Sequence, residues 1–235
     1  MKDLKELKKS VLDANLELPK RNLVIYSWGN VSGLDREKGM IVIKPAGIPY
    51  RELTLDNLSV TDLKGNVIEG PFKPSVDLAI HIVLYKAFPD ISGITHTHST
   101  YATMWAQGGK AIPCYGTTHA DYFYGDIPCT RMISKEEATD NYEEATGKII
   151  VEAFSGIDPL QVPGVLVAGH GPFTWGKEPW ESVHHSVVLE EIAQMAYGSL
   201  ILNPEISPIS DYLLNKHFMR KHGPTAYFDH DDMGR

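Results

Sequence analysis

His96 and His98 stand two residues apart in GITHTHST, residues 93–100. In a strand, alternate residues share a face, so both imidazoles would project together. Two neutral imidazoles on one face suit Zn²⁺ or another divalent transition metal. The pair alone leaves a packed or solvent-facing role open. His170, in VAGHGPFTWG, adds a third imidazole, flanked by glycines that leave room for an ion or a small substrate. Asp77, in PSVDLAIH, falls in the first turn of a helical segment, where the helix dipole favours a carboxylate. Three imidazoles and one carboxylate make a catalytic metal set, provided a position stays open for substrate. The bland alternatives are a turn histidine at 170 and a helix-start acid at 77.

Asp121 lies in GTTHADYFYGDIPC (116–129), a polar and aromatic stretch that reads as a loop or strand edge. A carboxylate near a metal is a candidate general base, with a turn-forming role the alternative. The remaining histidines read more plainly. His81 follows Asp77 by four residues and is expected to pack, with a supporting place behind the ligands as the alternative. His184 and His185 in a long helix are expected at solvent or an interface. His217 and His222 share a basic segment with Lys216, Arg220 and Lys221, which reads as a solvated face.

Positioning these groups requires strands between helices. Leu4, Leu7, Val11, Leu12 and Leu16 recur at helical spacing, and Pro19 stops the run. LVIYSW (23–28) reads as a strand ending in the tight WGNVSG, and MIVIKP (40–45) as a second. Residues 58–70 read as a hairpin turning at Lys64-Gly65-Asn66. KPSVDLAIHIVLYKAFPD is a helix with Ser75 as expected N-cap and Pro89 as its stop. A strand through 96–98 and a helix through Ala102, Trp105 and Ala106 follow. Ser134 and Glu137 form a capping box opening one helix to about residue 154. Residues 164–176 read as a strand pair, and Pro179 opens the longest helix. Short connections among the early strands favour antiparallel pairing. The expected class is α/β: three layers, α/β/α, with a central, mostly antiparallel sheet flanked by helices. With no repeat or composition break, residues 1–235 read as one domain, with an irregular acidic tail from about 229.

The formal net charge of -8 gives no electrostatic attraction to nucleic acid or an anionic membrane surface. Neither Cys114 nor Cys129 sits in a metal-type CxxC spacing, and both read as small buried hydrophobes. No apolar run reaches membrane-spanning length, and the charged N-terminal segment lacks a signal-type core, so the cytoplasm is the expected compartment.

WGNVSG, IVIKPAG, KPSVD, THTHS, GTTHADYFYG, IPCTR, GHGPFTWG and KHFMRKHG together resemble the L-ribulose-5-phosphate 4-epimerase branch of the class II (metal-dependent) aldolase and adducin family. The resemblance runs to about residue 228. It implies a three-layer fold and a fourfold-symmetric homotetramer with active sites between neighbouring subunits. It implies that Asp77, His96, His98 and His170 bind Zn²⁺, with Mn²⁺ or Co²⁺ as alternatives. It makes Asp121 the catalytic acid/base. Gly29, Asn30, Lys44, Gly47 and Ser75 become substrate-binding positions, and Glu143 takes a supporting role. The implied reaction converts L-ribulose 5-phosphate to D-xylulose 5-phosphate. The C3–C4 bond breaks by retro-aldol cleavage and re-forms on the other face of the aldehyde, with the metal as Lewis acid and an acid/base group on each face.

Three positions depart from that pattern. Ala46 stands in KPAG and Val76 in PSVD where the family carries phosphate-binding serines. Phe228 stands in AYFD where it carries the second acid/base, a tyrosine. Ala and Val offer a phosphate no side-chain hydrogen bond. Either the neighbouring Tyr227 takes the tyrosine's role, or proton transfer on one face is lost. The departures motivate an alternative: an epimerase or aldolase acting on unphosphorylated ketoses. A non-catalytic adducin-like interaction module is a further alternative, opposed by the intact metal set.

Overall fold

The computed structural model describes residues 4–224 and residue 226; Tyr227, Phe228 and the tail from 229 lie outside the described residues. Seven strands form one sheet: β1 (Asn30–Asp35), β2 (Met40–Ile43), β3 (Ser59–Asp62), β4 (Val67–Glu69), β5 (Gly93–His96), β6 (Gly164–Val167) and β7 (Gly171–Gly176). Their spatial order is β4-β3-β2-β1-β5-β7-β6. Every neighbouring pair is antiparallel, as the short connections predict.

Period-two alternation assigns the two faces. On β1, Gly33 lies against Leu7, Val11 and Pro179, which belong to α1 (Leu4–Lys20) and α7 (Pro179–Leu202). Its neighbour Ser32 turns the other way and meets His81 and Tyr85 of α2 (Leu78–Ala87). On β5 and β7, Thr95 and Thr174 bond Ser182 of α7, while Ile94, Phe173 and Trp175 join the opposite core with Leu78, Ile80 and Leu84 of α2. Helices therefore cover both faces, and the three-layer expectation holds. The second layer also contains α6 (Tyr142–Ala153), packed on α2. α3 (Thr100–Gln107) packs on α7 and reaches β6 and β7.

Local readings that fail do so for identifiable reasons. Residues 23–28 are not a strand: Tyr26 and Gly29 have φ of 55° and 73°, and Ile25, Tyr26 and Trp28 are exposed. The strand starts at Asn30, inside the stretch read as a turn. Ser75 does not cap α2; Asp77 holds that position, and the Ser75 hydroxyl bonds the Asp77 carboxylate instead. The capping box of Ser134 with Glu137 is present, but its helix, α5 (Lys135–Asp140), stops after six residues. Asn141, with φ −155°, then caps α6 by accepting from the Glu144 amide, so one expected helix is two. The stretch 116–129 contains α4 (Thr117–Ala120), a single turn that ends at Asp121. α8 (Asp211–His222) completes the fold. Among the described residues, no helix is long and apolar enough to cross a membrane.

Candidate metal centre

The sheet register assembles the site. Asn30 of β1 and Phe173 of β7 both pair with His96 of β5, forming one cross-strand row on the α2 face. Gly29 precedes this row with φ of 73°, and a Cβ there would stand 2.7 Å from the His96 carbonyl oxygen. Only glycine fits such an approach. β5 ends at His96, so His98 lies beyond the strand rather than on it. Its ring nonetheless converges: the Nε2 atoms of His96 and His98 are 3.1 Å apart. His170 joins them from the turn between β6 and β7, and ligand atoms of all three lie within 4.8 Å of one another.

The proton positions fit a cation. His96 Nδ1 lies 2.9 Å from the Pro172 carbonyl. A carbonyl only accepts, so Nδ1 carries the ring proton and Nε2 presents a bare lone pair. An imidazole whose far nitrogen donates to a carbonyl is the usual supported metal ligand. Burial pushes the pKa values of His96, His98 and His170 below that of a free imidazole, with Asp77 pulling the other way. Neutral rings facing one another are what Zn²⁺-type coordination requires. The His96 ring stacks on Phe173 at 4.1 Å between centroids, which fixes its plane.

Asp77 is not one of the three clustered groups, but its charge reaches His96, His81 and His170. Asn30 Nδ2 donates to Asp77 Oδ2 at 2.7 Å and to Ser75 Oγ at 3.1 Å, and Ser75 Oγ donates to the same Oδ2 at 3.2 Å. Burial raises the Asp77 pKa, but the imidazoles and the Asn30 bond outweigh it and hold the carboxyl below its ordinary range. The Asn30 carbonyl oxygen is buried without a partner among the described residues.

Lys44 is buried, and its Nζ donates to the Ser27 carbonyl at 3.1 Å, with the Tyr50 ring 5.0 Å away. Burial pulls its pKa down to about 8, against the opposing charge of Asp77. Ala46 and Gly47 are exposed, and Val76 is 67% exposed beside the buried Ser75. Both departures at this end therefore sit on an open rim, while the unaltered Asn30, Ser75 and Lys44 form its buried floor.

Asp121 goes elsewhere. Among the described residues, the hydrogen-bond and ion-pair partners of its carboxylate all come from α8, the segment expected to be a solvated face. Arg220 forks onto both carboxylate oxygens at 3.0–3.1 Å through Nη2. His217 Nδ1 approaches Oδ1 at 3.1 Å, and Lys221 Nζ lies 3.8 Å from Oδ2. His222 Nε2 is 2.9 Å from the Asp121 backbone oxygen. Nothing in the sequence pairs residue 121 with 217–222, because the contact spans about a hundred residues. His185 also departs from expectation: it is buried, with Nδ1 bonded to the Trp175 carbonyl at 2.7 Å.

Sequence reasoning missed Tyr142, whose hydroxyl lies 3.3 Å from His170 Nδ1. A tyrosine at a helix start carries no spacing signal that points to a histidine 28 residues later. It also missed Phe173, which alternation marks only as core. Glu143, next to Tyr142 in α6, has no side-chain hydrogen bond among the described residues and is half-buried.

Comparison with known proteins agrees with this geometry. The description "Class II Aldolase and Adducin N-terminal domain" matches residues 9–197. The chain is 53% identical over 225 residues to a Salmonella paratyphi B protein named L-ribulose-5-phosphate 4-epimerase UlaF, covering 96% of this chain and 99% of that one. A solved L-fuculose 1-phosphate aldolase is 25% identical, with TM-score 0.76 over 90% of this chain and 94% of its own. YgbL from Klebsiella pneumoniae, a putative aldolase/epimerase/decarboxylase, is 26% identical, with TM-score 0.71 over 92% and 99%. Sheet order, histidine cluster and end-to-end similarity lead to one conclusion: the chain belongs to the class II aldolase and adducin family.

Proposed function

We infer that this protein is a divalent-metal-dependent 4-epimerase that converts L-ribulose 5-phosphate to D-xylulose 5-phosphate. One observation carries the reading: the facing Nε2 atoms of His96 and His98 at 3.1 Å, with His170 beside them. Similarity along 96% of the chain, at 53% identity, to proteins named for this epimerase supports the choice of reaction.

His96, His98, His170 and Asp77 would hold the ion, with Zn²⁺ first and Mn²⁺ or Co²⁺ as alternatives. When bound, the metal supplies Lewis acidity toward the ketose carbonyl. Asn30 and Ser75 hold Asp77 through Oδ2 and line the floor beside it. Gly29 lets the backbone run close to His96, where a Cβ would press on the His96 carbonyl oxygen. Lys44 brings a buried amine with a pKa near 8, suited to a substrate oxygen that gains negative charge. Gly47, at the exposed rim with Ala46 and Val76, offers backbone N–H to the phosphate end. Asp121 takes the C4 hydroxyl proton on one face, and a second group gives a proton back on the opposite face. Tyr227, beside Phe228, is the candidate for the other.

Asp121 and the histidines share no hydrogen bond within one chain among the described residues. A homotetramer with sites between subunits lets Asp121 of one subunit serve the histidines of the next. Ile25, Tyr26 and Trp28, exposed beside Gly29, are an apolar surface consistent with such a contact. The cytoplasm is the expected compartment. The test is C4 inversion: chelator-treated protein given Zn²⁺ should form D-xylulose 5-phosphate from L-ribulose 5-phosphate. No turnover with any of the three metals would sink the reading.

A further inference from the structure

His81, the one histidine of α2, follows Asp77 by one helical turn and is not among the three clustered rings. His81 is fully buried, and its backbone N–H bonds the Asp77 carbonyl at 3.1 Å. Its Nδ1 lies 2.7 Å from Ser32 Oγ, and Ser32 Oγ lies 2.7 Å from the Tyr85 hydroxyl. All three side chains are buried.

The hydrogens of this relay can be counted. The Tyr85 hydroxyl has one hydrogen-bond partner among the described residues, Ser32 Oγ. Its O–H must point there, or a buried phenol proton is stranded. Ser32 then sends its own hydrogen to His81 Nδ1. Nδ1 therefore accepts, and the ring proton sits on Nε2. That Nε2 is buried and has no partner among the described residues.

Asp77 shows the complementary gap. Asn30 and Ser75 both donate to Oδ2, and Oδ1 receives no hydrogen bond among the described residues. The His81 ring also meets the edge of Phe173, on whose face His96 is stacked. One buried ring thus meets the residue on which His96 is stacked and lies one turn from Asp77.

We propose that His81 is a positioning residue for the metal centre: the Tyr85–Ser32–His81 relay fixes Nε2–H as a donor toward Asp77 Oδ1 through one bridging water, and so orients the carboxylate that completes the site. This rests on reading Asp77, His96, His98 and His170 as metal ligands. A bare packing role needs only the ring's bulk and its Nδ1 bond to Ser32. The proposal needs the far nitrogen.

Two amide substitutions separate these roles. His81→Asn keeps a polar atom near Nδ1 and loses Nε2; His81→Gln keeps one near Nε2 and loses Nδ1. The readout is Zn²⁺ affinity of the metal-free full chain, by competition with a chromophoric chelator, together with the absorption spectrum of the Co²⁺ form. His81→Asn is expected to bind Zn²⁺ about 10–100-fold more weakly, with an altered Co²⁺ spectrum. His81→Gln is expected to stay within about threefold of the unaltered chain. Equal losses in both variants, or none in either, overturn the proposal. Should His81→Asn fail to fold, Ser32→Ala asks the same question, since it frees the ring proton to move to Nδ1. Weaker binding supports the relay, and unchanged affinity overturns it. An unaltered chain that binds no Zn²⁺ overturns the metal-centre reading and this inference with it.

Discussion

Asp77 and Asp121, the two carboxylates assigned to chemistry, sit in opposite surroundings. Asp77 is held by neutral donors, Asn30 and Ser75, on a row set by sheet register. Asp121 is held by the charged and titratable side chains of one helix, with Arg220 41% exposed and His217 and Lys221 less so. Hydrogen bonds on a packed sheet resist salt and motion. An ion cluster at a surface is screened within about 8–10 Å at ordinary ionic strength and holds its helix more loosely. The histidine side is thus built before substrate arrives, while the Asp121 side depends on α8 staying docked. Phe218, against Tyr124, is the one buried residue of that helix.

The largest expected break of this contrast is His96→Ala. It should abolish tight Zn²⁺ binding and lower turnover on the order of a thousandfold or more, because several kcal/mol of Lewis-acid stabilisation go with the metal. Metal analysis with initial rates checks it, and full metal content in the variant would break the assignment. Next comes Asp121→Asn, with a loss of about a hundredfold or more in kcat and unchanged Zn²⁺ content. Loss of metal there would erase the distinction between the two carboxylates. Arg220→Met should be milder, about tenfold in kcat, from misplacement of Asp121 rather than its removal. Hydrogen exchange should show faster α8 amides in this variant. Raising salt should reproduce that change in the unaltered chain while β5 and β7 stay protected.

The smallest effect is on stability against pH. His119 and His185 are buried and His184 is half-buried, and the loss of hydration pulls each from 6.5 down to about 4. The unfolded chain takes up these protons near pH 6.5 and the folded chain only near 4. Unfolding therefore binds protons in that window, and stability falls as pH drops through it, levelling below about 4. Melting temperatures of the metal-free protein at pH 7, 5.5 and 4.5 should decline in that order. A flat profile would mean that these rings open to water in the folded state.

Much of the metal centre was legible because its signals are local. The two-residue spacing of His96 and His98 and the glycines around His170 can be read within a few positions. The three rings converge even though His98 lies past the strand end and comes to the others through the chain's turn into α3. Other signals misled. LVIYSW has strand composition, yet only Leu23 and Val24 pack into the core while Ile25, Tyr26 and Trp28 stay exposed. Asn141 carries an N-cap preference that outcompetes a continuous helix. The second acid/base stays a sequence matter, because Tyr227 and Phe228 fall outside the described residues.

By itself the sequence determined the layers, the antiparallel pairing, the candidate histidines and the family, since alternation, capping and motif spacing are short-range properties of the chain. Only the tertiary structure decided what each carboxylate touches. It placed Asn30 beside His96 and Asp77, Tyr142 beside His170, Tyr85 and Ser32 behind His81, and α8 on Asp121. Those contacts join residues tens to a hundred positions apart. Hydrogen bonds and ion pairs act over a few ångströms of space, and no periodicity records which distant segments the fold brings that close.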